Sequence, residues 1–153
     1  KIKLKEGINM AVILASSCLL GCECRYKGDG CKCDALIKLA ESNTIIGVCP
    51  EQMGGLPTPR DPAERQGDKV ISCAGKDVTK AYTKGAETAL YFAKLNHVDF
   101  AVMKAKSPSC GKGLIYDGTF TGNKIPGNGV TVELLNANGI PVFTEDELDQ
   151  LPL

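Results

Sequence analysis

The amino-acid sequence predicts an α/β domain built on a mostly parallel, open sheet. Short apolar runs rich in β-branched residues alternate with segments of helical periodicity, which is the pattern of strands joined by crossover helices. The chain has 153 residues, the usual size of one domain. Three of the predicted strands also lead into loops that carry a cysteine. Such an arrangement is typical of a ligand site at the carboxyl edge of a parallel sheet.

In the first half of the chain, two buried strands flank one helix. The apolar run at 12–15 predicts the first strand, and the β-branched run at 44–48 predicts the second. Asp34 is a suitable N-cap for a helix over 34–42, whose apolar residues recur at helical spacing. The glycine- and cysteine-rich segment 21–32 predicts a loop between the first strand and this helix.

The second half adds the remaining strands and helices. Prolines and glycines predict a long ordered loop at 51–68 and an irregular segment at 114–128. The further elements expected are a short, hairpin-like strand at 69–72, a helix at 79–95 capped by Thr79, a strand at 99–103, a helix at 130–138 stopped by Gly139, a strand at 140–143 and a last helical turn at 145–147 capped by Thr144. This alternation predicts a Rossmann-like single domain with helices on both faces of the sheet.

Composition and charge argue against several functional classes. Lys and Arg together number 18 and are balanced by 18 Asp and Glu, so the chain lacks the basic surplus that phosphate contacts require of nucleic-acid binders. We therefore expect no nucleic-acid partner. The only histidine, His97, lies where a predicted helix ends, and we assign it a structural or solvent-facing role.

The N-terminal region predicts neither export nor membrane insertion. Residues 1–9 are interpreted as a leader or appended segment before a natural start at Met10, which leaves 10–153 as one domain. The apolar run 11–15 is much shorter than the roughly 20 residues that span a bilayer, and no export pattern follows it. A cytoplasmic location without a membrane partner is therefore expected; the oligomeric state is left open. In that reducing compartment, clustered cysteines more often bind metal or do chemistry than form disulfides.

Three of the eight cysteines are positioned to converge. Cys18, Cys49 and Cys110 each follow a predicted buried strand, although they lie 31 and 61 residues apart in sequence. Since parallel strands end at one edge of their sheet, their side chains are expected to meet there. Spacing alone leaves three interpretations open: a metal or iron–sulfur site, a catalytic thiol, or inert buried residues. Three thiolates without a fourth partner would leave one iron of a cubic cluster open to substrate.

The sequence around these cysteines resembles the bacterial family known as domain of unknown function 523. The resemblance covers residues 10–147 and is carried by these motifs: Ser16-Ser17-Cys18-Leu19-Leu20-Gly21, Arg25-Tyr26, Cys49-Pro50-Glu51-Gln52-Met53-Gly54-Gly55-Leu56, Gly75-Lys76-Asp77-Val78-Thr79, Ser107-Pro108-Ser109-Cys110-Gly111, Gly118-Thr119-Phe120 and Gly127-Asn128-Gly129-Val130. Each motif is weak alone, and their joint order is specific.

The resemblance implies a thiouracil desulfidase that carries an oxygen-sensitive [4Fe-4S] cluster. Cys18, Cys49 and Cys110 would be the cluster ligands, and the substrate would be a small thiolated base such as thiouracil. Glu51 would serve as acid and base, and Ser107 would assist at the substrate. Both residues also have simpler interpretations: Glu51 as a solvated loop carboxylate, and Ser107 as a turn residue before Pro108.

The remaining cysteines depart from the family pattern. Cys22, Cys24, Cys31 and Cys33 form two C-x-C pairs within twelve residues, which could hold a separate zinc, form disulfides on oxidation or supply a fourth cluster ligand. Cys73 follows a predicted strand and is interpreted as an inert core thiol.

Two other functions compete with a desulfidase that acts on a free base. One is desulfuration of thiolated RNA, which the neutral chain disfavours. The other is a non-catalytic zinc-binding or redox-sensing cysteine module. Phosphate and dinucleotide sites are not expected, because the sequence has neither a P-loop nor a G-x-G-x-x-G turn after its first strand.

Overall fold

A computed structural model describes residues 10–153, so the predicted leader at 1–9 lies outside the described residues. In chain order the strands are β1 (Val12–Ser16), β2 (Thr44–Val48), β3 (Ala63–Gln66), β4 (Lys69–Ser72), β5 (Phe100–Met103), β6 (Leu114–Tyr116), β7 (Lys124–Pro126) and β8 (Val142–Thr144). The α-helices are α1 (Asp34–Lys38), α2 (Pro50–Met53), α3 (Thr79–Leu95) and α4 (Val130–Ala137). Three 3-10 helices cover Ser17–Leu20, Leu39–Glu41 and Leu148–Gln150.

The central sheet has four parallel strands in the order β2-β1-β5-β8. Leu14 of β1 is in register with Ile46 on one side and with Ala101 on the other. The chain therefore adds β2 on one side of β1 and later adds β5 and β8 on the other side. This reversal places a topological switch point between β1 and β5, and open α/β sheets bind ligands beyond the strand ends at such a point.

Helices cover both faces of this sheet. On one face Leu14 and Ala101 pack with Ala89 of α3 and with Val132 of α4. On the other face the alternate strand residues pack against the 3-10 helix after β1 and against α1; they are Ile13, Ala15, Phe100 and Val102, with Leu19 and Leu36 opposite. Successive strand residues point to opposite faces, so both faces of these short strands are apolar. The predicted fold class is confirmed.

The structure corrects several predicted elements. The predicted loop at 51–68 contains α2 and β3, and β3 pairs with β4 as an antiparallel hairpin. The predicted irregular segment at 114–128 contains a second hairpin, formed by β6 and β7. The sequences of β3 and β7 lack apolar alternation because each has little or no core face, so pairing alone defines them as strands.

Element ends shift by smaller amounts. The helix predicted at 34–42 changes from α to 3-10 geometry at Leu39. The last helical turn was predicted at 145–147. There, Thr144 Oγ1 accepts the backbone N–H of Asp146 at 3.3 Å within a turn, and the helical turn follows later as a 3-10 helix at Leu148–Gln150. Among residues 10–153, no helix is both long enough and apolar enough to cross a bilayer.

Candidate active site

The structure brings the three predicted cysteines together at one edge of the central sheet. Cys18 lies in the 3-10 helix directly after β1, Cys49 caps α2 directly after β2, and Cys110 lies in the loop after β5. These three strands are neighbours, with β1 between the other two. All three cysteines line one cavity of about 470 Å³. The switch point of the sheet thus holds three thiols that come from widely separated parts of the chain.

The protein environment keeps two of these thiols, those of Cys49 and Cys110, neutral when no cation is present. Cys110 is buried, and this burial raises the pKa of its thiol to about 12, with a further contribution from the negative charge of Glu51. For Cys49, a hydrogen bond with the Cys24 thiol and burial both raise the pKa. A thiolate in such a site needs a positive partner, and a bound metal centre supplies one.

A fourth cysteine, Cys24, also lines the cavity. It is buried, and its thiol interacts with both Cys18 and Cys49. The hydrogen bond with Cys18 is the main reason that its pKa rises to about 12. The sequence grouped Cys24 with its three nearest cysteine neighbours, whereas the fold turns only Cys24 toward the three predicted ligands. Cys22, two residues earlier in the same loop, is exposed instead.

The other cysteines do not form a second cluster. Cys31 and Cys33 are half-buried outside the cavity, and all eight cysteines are free thiols. Within residues 10–153, no group of three or more His, Cys, Asp or Glu side chains is arranged to hold a single metal ion. Cys73 was predicted to be a core thiol, and this prediction is wrong: it lies in the turn after β4 and is exposed.

Glu51 lies in α2, two residues after Cys49, and its carboxylate is held on one side. The Tyr82 hydroxyl donates to Glu51 Oε1 at 2.6 Å, and Arg60 Nε donates to the same oxygen at 3.2 Å. Tyr82 is buried, and this burial raises the pKa of its phenol, so the hydroxyl remains a donor. Arg60 also donates to the carbonyl of Cys24 at 2.8 Å, which joins the Glu51 network to the Cys24 loop.

The second carboxylate oxygen, Oε2, has no hydrogen-bond partner within the described residues. Within these residues, every side-chain oxygen that is shielded from solvent has a hydrogen-bond partner. Oε2 is therefore accessible, and Glu51 lines the cavity. The carboxylate is fixed through one oxygen and leaves the other available to a substrate or water.

Two glycines allow α2 to approach α3 closely. A Cβ atom on Gly54 would lie 1.9 Å from the carbonyl oxygen of Ala81, and one on Gly85 would lie 1.8 Å from that of Pro50. Real Cβ atoms never approach backbone oxygens so closely. The two helices therefore touch backbone to backbone, and this contact sets the position of Glu51 relative to Tyr82.

Ser107 lies in the loop that carries Cys110 and also lines the cavity. Its Oγ accepts the backbone N–H of Ser109 at 3.1 Å and that of Cys110 at 3.0 Å. A serine oxygen has two acceptor lone pairs. Both are used by the loop, so the hydroxyl can act toward a substrate only as a donor. The loop itself is fixed against α4, where Thr131 N donates to the Ser109 carbonyl at 2.9 Å.

Several cavity residues were not singled out from the sequence. Arg60 and Tyr82 reach Glu51, Lys104 lines the wall and pairs with Glu145 at 2.6 Å, and Glu64 lines the cavity from β3. Tyr82 lies within the helix predicted at 79–95 and was given no role in the site. Its polar hydroxyl was the available signal, because a buried tyrosine needs a hydrogen-bond partner. His97 is exposed at the end of α3, as expected, and takes no part in the site.

The comparisons with known proteins agree on one family. The model of the 2-thiouracil desulfurase family matches residues 13–147. The uncharacterized protein YbbK of Bacillus subtilis (strain 168) is 42% identical over 150 residues, which cover 92% of this chain and 99% of YbbK. A solved structure of the [4Fe-4S]-dependent thiouracil desulfidase TudS superposes with a TM-score of 0.88 at 45% identity, and the match covers 92% of this chain and 95% of TudS.

Proposed function

Since the chain belongs to the 2-thiouracil desulfurase family, we propose that it is an iron–sulfur-dependent desulfidase that converts a thiolated pyrimidine base into its oxo form. The observation that carries the proposal is a single cavity lined by three thiols from three adjacent strand ends, a half-free carboxylate and a hydroxyl donor. A simple cysteine module for zinc binding or redox sensing would not require the last two groups beside the thiols.

The donor set of the site fits a [4Fe-4S] cluster. Cys18, Cys49 and Cys110 offer three soft thiol ligands, the type that iron–sulfur clusters select, from three separate elements around one cavity. Thiolates on a cubic cluster bind different irons, so they are spread more widely than the ligands of a single ion. When bound, the cluster supplies an iron without a protein ligand, which can act as a Lewis acid toward the sulfur of the substrate.

The overall reaction exchanges one heteroatom and needs no electrons. The thiocarbonyl and one water give a carbonyl and hydrogen sulfide, so the C=S bond is lost and a C=O bond forms without a change in oxidation state. The attacking water must lose protons, and the departing sulfur and ring nitrogen must be able to receive them. A positioned carboxylate performs such transfers and contributes about 10²–10⁴-fold to the rate.

We assign the proton transfers to Glu51. Its accessible Oε2 can take a proton from water, while Tyr82 and Arg60 hold Oε1 and so fix the direction of the carboxylate. Ser107 is assigned a different task. Because its oxygen already accepts two backbone N–H groups, it can donate a hydrogen bond to an acceptor atom of the base but cannot accept a proton from it.

The proposed substrate is a free base in the cytoplasm rather than a thiolated RNA. A net charge of zero supports the free base, since RNA binding draws on a basic surface. Eight free cysteines support a reducing compartment.

The test is anaerobic purification followed by iron and sulfide analysis and an assay with thiouracil. We expect four irons and four sulfides per chain, a value set by the cluster type, and conversion of thiouracil to uracil and sulfide without an added electron donor. Replacing Cys18, Cys49 or Cys110 by alanine should each abolish the cluster. The matched control is Cys73→Ala, which removes an exposed thiol outside the cavity and should keep both iron and activity. An intact cluster that turns over no thiolated base would contradict the proposal.

A second set of variants tests two of the remaining cysteines, Cys31 and Cys33. Changes at Cys31 or Cys33 should leave the iron content unchanged, because both lie outside the cavity. Loss of iron in either variant would make that residue a ligand and overturn the three-cysteine assignment.

A further inference from the structure

The tip of the β6–β7 hairpin, residues 117–123, lies over the candidate active site. Phe120 and Gly122 from this tip line the cavity, as does Tyr116 from the adjoining strand. The proposed reaction uses none of these residues. The tip is nevertheless closely held, since Asp117 Oδ1 accepts both the N–H and the hydroxyl of Thr119, at 2.9 and 2.6 Å.

A buried carboxylate from β3 anchors the tip to the rest of the protein. Glu64 Oε1 accepts the backbone N–H of Gly118 at 3.0 Å and that of Phe120 at 3.1 Å. Gln66 of the same strand donates to the Gly118 carbonyl at 3.0 Å. Glu64 is only 9% exposed and has no ion-pair partner within the described residues. Burying a carboxylate without an ion-pair partner costs folding free energy. The two hydrogen bonds to the tip offset part of this cost and hold the tip in position.

The backbone of Phe120 is held in a conformation that bulky residues avoid. Its φ angle is 57°, in the left-handed region where glycine is favoured. Backbone strain of this kind persists only where the surroundings impose it, and it concentrates at functional sites. Phe120 is also 38% exposed although it lines the cavity. The strain and the exposure do not serve core packing.

The ring of Phe120 differs from the other aromatic rings of the cavity in being unpartnered. Lys27 lies 5.7 Å from the ring centre of Tyr26, and Lys124 lies 5.3 Å from that of Tyr116. Tyr82 is fully buried and donates to Glu51. Among residues 10–153, Phe120 pairs with neither a cation nor another ring.

We propose that Phe120 is a specificity-determining residue that packs against the flat face of a heteroaromatic substrate, and that Glu64 is the positioning residue that holds it over the cavity. The inference rests on the proposed function. A thiolated pyrimidine is planar, and an aromatic ring prefers to stack on such a face. The thiols and Glu51 recognise the reacting atoms, whereas Phe120 recognises the shape of the ring that carries them.

The first experiment measures the preference for a planar ring. Thiouracil and its dihydro form, which carries the same thiocarbonyl and N–H groups on a puckered ring, are compared as substrates of the cluster-loaded enzyme. Phe120→Ala should raise the KM for thiouracil about ten- to hundredfold, the range for loss of one base–aromatic stack. The ratio of kcat/KM for thiouracil to that for the dihydro form should be smaller in Phe120→Ala than in the wild type, while the iron content is unchanged. An unchanged preference would overturn the proposal.

Two variants separate this role from a structural one. Phe120→Gly relieves the backbone strain, so it should unfold at the same temperature as the wild type or higher, and yet raise KM as Phe120→Ala does. Ile125→Ala is the matched control, because Ile125 is an exposed apolar residue of the same hairpin that does not line the cavity. It should leave KM unchanged. An equal rise in KM in Ile125→Ala would assign the effect to the hairpin as a whole.

Glu64 is tested through Phe120. Glu64→Ala should raise KM, Glu64→Gln should retain most of the affinity because its amide oxygen can still accept both N–H groups, and the double variant with Phe120→Ala should be no worse than Phe120→Ala alone. Additive losses in the double variant would show that Glu64 does not act through Phe120.

A binding readout that needs no turnover completes the test. The chain contains no tryptophan, so Phe120→Trp introduces a single indole at the cavity. Its fluorescence should change and saturate as uracil is added. No change at millimolar uracil would overturn the role of Phe120 even if the wild type desulfurates thiouracil. A saturating change in a protein that turns over no thiolated base would support Phe120 and reject the proposed reaction.

Discussion

Replacing Gly85 by alanine tests whether the contact between α2 and α3 positions Glu51, the carboxylate to which we assign the proton transfers. Two effects with opposite signs meet in this substitution. Alanine is the better helix former, and an unhindered Gly→Ala change inside a helix stabilises by about 1 kcal/mol. Against this, the new Cβ would lie 1.8 Å from the Pro50 carbonyl oxygen.

The steric effect should win. Contacts below 3.0 Å do not occur for real Cβ atoms, so α2 must retreat by roughly 1 Å, the least that the observed distance and this limit allow. The obstacle is backbone and cannot rotate away. Overpacking of this kind costs about 1–3 kcal/mol, against a gain in helix propensity of about 1 kcal/mol, so the net loss of stability reaches about 2 kcal/mol at the upper end of that range. The Tm should therefore fall rather than rise.

The effect on activity should be larger than the effect on stability. α2 begins directly after Cys49 and carries Glu51, and a displacement of about 1 Å at a catalytic group costs about a hundredfold in rate. Thermal unfolding, iron content and kcat with thiouracil are measured on the same preparation. The matched control is Thr83→Ala, an exposed position on the same helix where helix propensity improves without a new contact. Should Gly85→Ala be more stable than the wild type and fully active, the reasoning from this contact would be refuted.

Three further predictions concern the residues of the cavity. Glu51→Gln should keep the iron content and lower turnover about a hundredfold or more, and full activity would remove Glu51 from the mechanism. Ser107→Ala should raise KM more than it lowers kcat, because the hydroxyl can only donate; a fall in kcat equal to that of Glu51→Gln would instead make it a proton carrier. Burial raises the pKa of the Cys110 thiol from 9.0 to about 12, so between these pH values the thiol stays neutral in the folded state but ionises in the unfolded state. Cluster-free protein should therefore lose stability as the pH rises from about 9 to about 12. Urea unfolding of cluster-free Cys110→Ala should show a weaker loss over the same pH range, and an identical pH dependence would contradict the assigned burial.

The sequence was sufficient to predict the central sheet and the meeting of its cysteines. β1, β2 and β5 are apolar on both faces, and each run is ended by polar or proline-containing sequence, so their boundaries were visible. The positions of Cys18, Cys49 and Cys110 then followed from the parallel arrangement alone. The chemistry of the cluster did not follow from spacing and came from the family resemblance.

What the sequence could not supply were contacts made only by tertiary structure. β3 has the sequence Ala-Glu-Arg-Gln, which has no strand pattern, and only its pairing with β4 makes it a strand. Glu64 therefore looked like part of a loop. Likewise, the separation of Cys24 from Cys22 depends on the path of the loop, and the hydrogen bond of Tyr82 to Glu51 depends on how closely two glycines bring their helices.

The separation of the three proposed ligands along the chain also sets the earliest stage of synthesis at which the cofactor can bind to all of them. A nascent chain emerges from the ribosome N-terminus first, and at residue 98 it has exposed Cys18 and Cys49 but lacks both Cys110 and β5, the strand that lies beside β1. No partial product shorter than 110 residues contains all three of these cysteines. The proposed cluster can therefore be completed only after Cys110 has been made, and the two earlier thiols must stay reduced until then.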